Sequence, residues 1–199
     1  MKTFVETINI TDGEPLRLAY HNRRMSRTVA HFYPEAETTD LDTVVAPPMM
    51  TGKQKCRVVY GDHIEHVSYE PYRMREVKSL MLVDGADIDY TYKSTNRDGL
   101  NLLRQKRGDA DEILIVKHGE ITDTSYTNVA FWDGAEWFTP VHPLLDGTYR
   151  ASLIEKGILH EQMITLQDLG RFSKVSLINA MMNLGEMEVA VSEIIGGNI

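Results

Sequence analysis

Apolar and polar positions trade places quickly at the start of the chain. Phe4, Val5 and Ile8 to Ile10 around Thr7 predict a strand that closes at the turn Thr11-Asp12-Gly13-Glu14. From Leu16 to Tyr33 the period lengthens. Leu18, Met25, Val29 and Phe32 recur with arginine and histidine between them, which predicts an amphipathic helix stopped by Pro34. Leu41 to Ala46 reads as a short helix or strand ended by Pro47-Pro48. Cys56 to Tyr60 and His66 to Tyr69 flank Gly61-Asp62 and predict a hairpin. The stretch Glu70 to Arg75 breaks the pattern. It is the expected boundary between a small N-terminal α/β domain, 1–70, and a larger C-terminal domain, 71–199.

Beyond it the texture changes. Ser79 to Val83 predicts a short strand, and Ser94 to Arg107 a helix with Leu100 and Leu103 as apolar positions. Glu112 to Lys117 predicts a buried strand followed by the turn His118-Gly119-Glu120. Asn128 to Trp132 and Glu136 to Thr139 form a predicted hairpin around Asp133-Gly134. A helix over Tyr149 to Leu159 and a buried strand over Val175 to Ala180 follow. The fold class is therefore α+β or α/β, without internal repeats.

Composition narrows the classes of function. At 199 residues, 42% hydrophobic, the chain has enough material for a buried core. Twenty-one Lys and Arg against 29 Asp and Glu give −8, with no basic tract, so binding of nucleic acid through bulk electrostatics is not expected. A single cysteine, Cys56, excludes an intramolecular disulfide framework and fits a cytoplasmic setting. The N-terminus turns polar too soon for a signal peptide, and no apolar run approaches the roughly 20 residues of a spanning helix, so no membrane partner is expected. His63 and His66 stand three apart in a predicted strand, on opposite faces, so no metal site is expected there.

Four separated segments carry the candidate chemistry. Tyr92-Lys93-Ser94-Thr95-Asn96-Arg97 places a lysine at the predicted start of a helix. Gly119 to Asn128 is a polar turn with an acid, Asp123, before a strand. Thr139 to Arg150 is a loop entering a helix through Gly147-Thr148. Asn179-Ala180-Met181-Met182 closes a buried strand. Lysine amines serve as nucleophiles and bases when desolvated, and backbone N–H groups at a loop-to-helix junction are suited to phosphate.

In this order the segments resemble the class IV aminotransferase family, the fold-type IV pyridoxal phosphate enzymes. Phe4-Val5-Glu6-Thr7 resembles its F-E-T strand, and His21-Asn22-Arg23-Arg24 its H-x-x-R helix. The lysine segment resembles K-x-x-N-R, and the acidic turn G-x-[VI]-T-E-x-x-x-x-N. The third segment resembles T-P followed by L-x-G-[IT]-x-R, and the last resembles N-A-[LM]-M. The resemblance implies a two-domain fold like that of D-amino-acid aminotransferases, with pyridoxal 5'-phosphate as cofactor.

It further implies roles. Lys93 is the Schiff-base lysine and the base for the substrate's α-proton. Asp123 stands where the family has Glu, as partner of the pyridine nitrogen. Gly147, Thr148, Asn179 and Ala180 cradle the phosphate, and Arg24 pairs with it; neighbouring Arg23 is a rival, but the H-x-x-R spacing favours Arg24. Asn96 and Arg97 either line the cofactor or cap the helix. Arg57, Tyr69, Tyr92 and Arg97 are candidate substrate contacts, with Arg57 suited to a carboxylate.

The chain starts almost at the F-E-T strand, so the resemblance implies a trimmed small domain, and the family usually forms homodimers. The K-x-x-N-R and N-A-M-M segments lie closer to the lyase branch. The expected function is thus 4-amino-4-deoxychorismate lyase, giving 4-aminobenzoate and pyruvate for folate synthesis. An amino-acid aminotransferase of the branched-chain or D-amino-acid type is the alternative, and a degenerate non-catalytic homologue the second. The partner expected in each catalytic case is a small amine or amino acid.

Overall fold

The computed structural model describes residues 1–47 and 51–196. It divides into two compact units, Met1–Met74 with Tyr92–Asn96, and Arg75–Thr91 with Arg97–Ile199. Pro48, half of the expected Pro47-Pro48 stop, lies outside the described residues.

The first unit is built on strand β1 (Phe4–Thr11), which turns through Asp12 and Gly13, both at positive φ, into the short β2 (Glu14–Pro15). Helix α1 (Leu18–Phe32) and the single turn α2 (Leu41–Val44) come next, then the hairpin β3 (Lys53–Tyr60) and β4 (Ile64–Pro71). The sheet runs β2-β1-β3-β4, antiparallel throughout. Its register sorts the side chains by the two-residue period. Phe4, Ile8 and Ile10 on β1 stand opposite Tyr60, Cys56 and Gln54 on β3. Along β3, Gln54, Cys56, Val58 and Tyr60 are buried, while Lys53, Lys55, Arg57 and Val59 are half-buried. The apolar row packs on Met25 and Val29 of α1 and on Leu41. Full burial of side chains such as Ile8 and Val58 contributes ~1.5–3 kcal/mol each.

The second unit holds β5 (Leu80–Asp84), α3 (Asp98–Gln105), β6 (Glu112–Lys117), β7 (Glu120–Ile121), β8 (Asn128–Trp132) and β9 (Trp137–Pro140). It continues with α4 (Thr148–Glu155), β10 (Leu159–Gln162), β11 (Lys174–Ile178), β12 (Glu188–Ala190) and β13 (Ile194–Ile195). One sheet is ordered β13-β5-β6-β7 and the other β10-β9-β8-β11-β12. Strand β6 is buried nearly from end to end and packs with Val83, Leu100 and Leu144. In the second sheet Asn128 starts β8 opposite Ile178, the last residue of β11, and the antiparallel β9 ends at Pro140. The start of β8 and the ends of β9 and β11 therefore share one edge of that sheet, where the loops carrying the candidate residues emerge.

Three expectations differ from the structure. The boundary falls after Met74, and Tyr92–Asn96 returns to the first unit. The reason is backbone pairing: Val5 N donates to Lys93 O at 2.9 Å, Thr95 N to Thr3 O at 3.0 Å, and Phe4 bridges Ser94. The same pairing ties Ser94 and Thr95 to the first unit instead of a helix, so the helix expected from Ser94 begins only at Asp98. The helix expected to reach Leu159 stops at Glu155, because Gly157 takes a positive φ and Leu159 opens β10, parallel to β9. No helix among the described residues is long and apolar enough to cross a membrane.

Candidate functional site

In the first unit, Lys93 is pinned by its backbone to the edge of β1. The preceding Tyr92 stacks on His31, ring centroids 4.8 Å apart at 17°, and meets Phe32 edge-on at 4.8 Å. Tyr92 thus packs against the core on the side of Phe4 and Phe32. Tyr69, opposite Cys56 on β4, also packs against this core. Arg57 lies in mid-sheet opposite Thr7 and Ser68, half-buried.

Arg24 lies deeper. The buried stripe of α1 is His21, Arg24, Met25, Thr28 and Val29, the i, i+3, i+4, i+7, i+8 pattern of one helical face. Two of those five are ionisable, and both meet Glu6 of β1. Arg24 Nε donates to Glu6 Oε1 at 2.9 Å and Nη2 to Oε2 at 2.5 Å, while His21 Nδ1 lies 2.6 Å from Oε2. Burial pushes the Glu6 carboxyl up, but the Arg24 guanidinium and the hydrogen bonds from His21 and Arg24 outweigh it and hold it at about 2. Burial lowers the His21 pKa against the pull of Glu6, so its ring is held neutral.

In the second unit Asp123 is buried between strands. Its Oδ1 accepts from Asn128 Nδ2 at 2.9 Å and its Oδ2 from the Leu145 N–H at 2.9 Å. Burial pushes its pKa up to about 7, against those hydrogen bonds and the charge of Arg150. Arg97 donates to the Ser125 carbonyl at 2.7 Å and lies over the Tyr90 ring, which ties the start of α3 to the acidic turn. Gly147 is the N-cap of α4 and brings no side-chain cap. A Cβ at that position would lie 1.8 Å from Asn128 Oδ1. Thr148, the first residue of α4, is buried. Arg150, also buried, ties α4 to β9 and β10 by donating to Pro140 O at 2.8 Å and Glu161 Oε1 at 2.6 Å. Asn179 shapes the turn after β11: its Oδ1 accepts from Met181 N at 2.8 Å and Met182 N at 3.1 Å around Ala180. Its Nδ2 reaches Tyr126 O at 3.4 Å.

Within the second unit, then, Asp123, Gly147-Thr148 and Asn179-Ala180 gather at one sheet edge. A family model for class IV amino-transferases matches residues 51–188. The chain belongs to this family. A Haemophilus influenzae protein without an assigned function is 31% identical over 188 residues, covering 92% of this chain and all of the relative. A Schizosaccharomyces pombe protein named as a candidate aminodeoxychorismate lyase is 35% identical over 94 residues, 44% of this chain and 38% of its own length. Among solved structures, a candidate 4-amino-4-deoxychorismate lyase from Haemophilus somnus superposes with a TM-score of 0.87 at 31% identity, covering 92% of this chain and 98% of the other. The α+β architecture is thus that of the fold-type IV proteins, in a form of about 200 residues.

Class IV amino-transferases use pyridoxal 5'-phosphate in general. The residues present fit that group. Asn128 leaves no room for a side chain at Gly147, so the turn into α4 offers bare backbone, as phosphate cradles require. A buried carboxylate poised near neutrality stands in the same network, as a ring-nitrogen partner requires. Three residues that hold candidate site residues in place within their own units carry weak signals in sequence. Glu6 and Asn128 stand out only as motif positions, and Arg150 only as the arginine ending L-x-G-[IT]-x-R. Their partners are 18 residues away for Glu6, 5 and 17 for Asn128, and 10 and 11 for Arg150.

Proposed function

We propose that this class IV amino-transferase is a pyridoxal-phosphate-dependent lyase that converts 4-amino-4-deoxychorismate to 4-aminobenzoate and pyruvate, a step of folate synthesis. The observation that carries the reading is the buried Asp123, whose carboxylate is fixed by Asn128 and the Leu145 N–H beside the Gly147 turn. The candidate lyase from Haemophilus somnus, similar over nearly the whole chain, supports the lyase branch. The cofactor, when bound, supplies an electron sink that acidifies the substrate's α-proton. Lys93 Nζ would tether it and take that proton. Asp123, ionised against a ring-nitrogen cation, would keep the sink charged. The backbone of Gly147-Thr148 and Asn179-Ala180 would hold the phosphate, whereas the Arg24 guanidinium expected to pair with it is engaged by Glu6 instead. Arg57 would take a substrate carboxylate. The fold-type IV relatives usually work as homodimers, and a homodimer is part of the proposal.

The test is an end-point assay with pyridoxal phosphate and aminodeoxychorismate made in situ, with no oxo acid added. Equal release of 4-aminobenzoate and pyruvate, lost in Lys93→Ala, is expected. A cofactor-loaded protein that releases neither but exchanges amino groups with an oxo acid would move the assignment to the aminotransferases.

A further inference from the structure

Asn128 is buried and makes contacts at both ends of its amide. Its Nδ2 donates to Asp123 Oδ1 at 2.9 Å and to the Leu145 carbonyl at 2.8 Å. Because both neighbours of that nitrogen are acceptors, the orientation of the amide is set by the network. The Leu145 N–H in turn donates to Asp123 Oδ2 at 2.9 Å. Asp123, Asn128 and the main chain of Leu145 therefore form a closed ring. The other end of the amide, Oδ1, occupies the space next to Gly147, where a Cβ would come within 1.8 Å. Leu145 and Gly147 sit two residues apart in the loop that opens α4. One side chain thus touches the acid and the turn at once.

We propose that Asn128 is a positioning residue that locks the Asp123 carboxylate to the Gly147 turn, so that the groups for the cofactor's ring nitrogen and for its phosphate are held as a single rigid piece. The inference rests on the cofactor reading above and adds a role for a residue that would not touch the cofactor itself. A buried carboxylate that loses one of its donors is left under-paired and less firmly oriented, and its hold on a cation weakens. The Gly147 turn, freed from Asn128, loses the contact that keeps side chains out.

The test uses affinity and needs no turnover. Purified wild-type protein, Asn128→Ala and Asn128→Asp are titrated with pyridoxal phosphate, with its analogue lacking the ring nitrogen, and with pyridoxal lacking the phosphate. Asn128→Asp keeps the shape but removes both donors and faces Asp123 with a second carboxylate. The wild-type preference for pyridoxal phosphate over the nitrogen-free analogue is expected to fall about tenfold or more in either variant. The preference over pyridoxal is expected to fall as well in Asn128→Ala, and Gly147→Ala, severe in the wild type, is expected to add little in that background. Equal weakening of all three ligands, with both preferences intact, would make Asn128 a packing residue and overturn the proposal. If Asn128→Ala does not fold, retention of the ring-nitrogen preference in folded Asn128→Asp overturns it on its own. Wild-type protein that binds none of the three would instead sink the cofactor reading.

Discussion

Arg24 meets Glu6 through two nitrogens at once, Nε at 2.9 Å from Oε1 and Nη2 at 2.5 Å from Oε2, and neither residue is more than marginally exposed. A fork of this kind is geometrically specific, and its partners depend on each other. Removing one charge leaves the other buried without compensation, at ~3–5 kcal/mol. Glu6→Gln is expected to lose about that much stability at neutral pH, read by urea denaturation. Because the folded carboxyl titrates at about 2, below its ordinary 4.5, its contribution is full above pH 4.5 and disappears as pH falls through 2. The gap between wild type and Glu6→Gln is expected to close across that window. A gap that does not vary with pH would show that Glu6 is not the ionised partner of Arg24.

Asp123 gives the opposite slope. Its folded pKa, about 7, lies above the ordinary 3.8, so between those values the folded protein holds a proton that the unfolded chain has released. Stability from this group is present below about pH 4 and is lost as pH rises through 7. Without cofactor, wild type is expected to lose up to ~4 kcal/mol across that range relative to Asp123→Asn, an upper bound set by linkage. Thermal melts of both proteins at matched pH values check it. Parallel curves would place the Asp123 pKa near its ordinary value. With cofactor and substrate, Asp123→Asn is expected to slow turnover, since a neutral amide does not stabilise a ring-nitrogen cation.

Tyr92 holds the segment that carries Lys93. The ring stacks on His31 and meets Phe32 edge-on, while the Lys93 carbonyl accepts from Val5 N. Tyr92→Ala is expected to cost ~1–3 kcal/mol, and Tyr92→Phe within ~0.5 kcal/mol. Amide exchange at Val5 and Thr95 separates a local loosening from a global one: in Tyr92→Ala those two amides are expected to exchange faster while β3 stays protected. Unchanged exchange at both would show that the backbone pairing alone fixes Lys93.

Local period made the longer strands and the first helix legible in the sequence, but not the short β2, β7, β10, β12 and β13. Strand β3 alternates, and α1 repeats at helical spacing up to Pro34. The errors fall where a distant segment decides. Ser94 to Arg97 has a helical pattern, yet pairing of Lys93 with Val5 and of Thr95 with Thr3 holds its start out of the helix. Ile158 and Leu159 look like the end of a helix, yet β9 draws Leu159 into a sheet as a parallel neighbour. The same distinction applies to the site. Lys93, Asp123 and Gly147 are visible as residue types in motif order. The Asn128 ring around Asp123 and the Glu6 clamp on Arg24 are not, because each joins residues brought together only by packing.

The proposed chemistry depends on Lys93 carrying the cofactor. Borohydride reduction of protein loaded with pyridoxal phosphate, followed by peptide mass mapping, tests it directly. One pyridoxyl group per chain is expected, on Lys93. Labelling of another lysine in its place, or no label on protein that binds the cofactor, would contradict it.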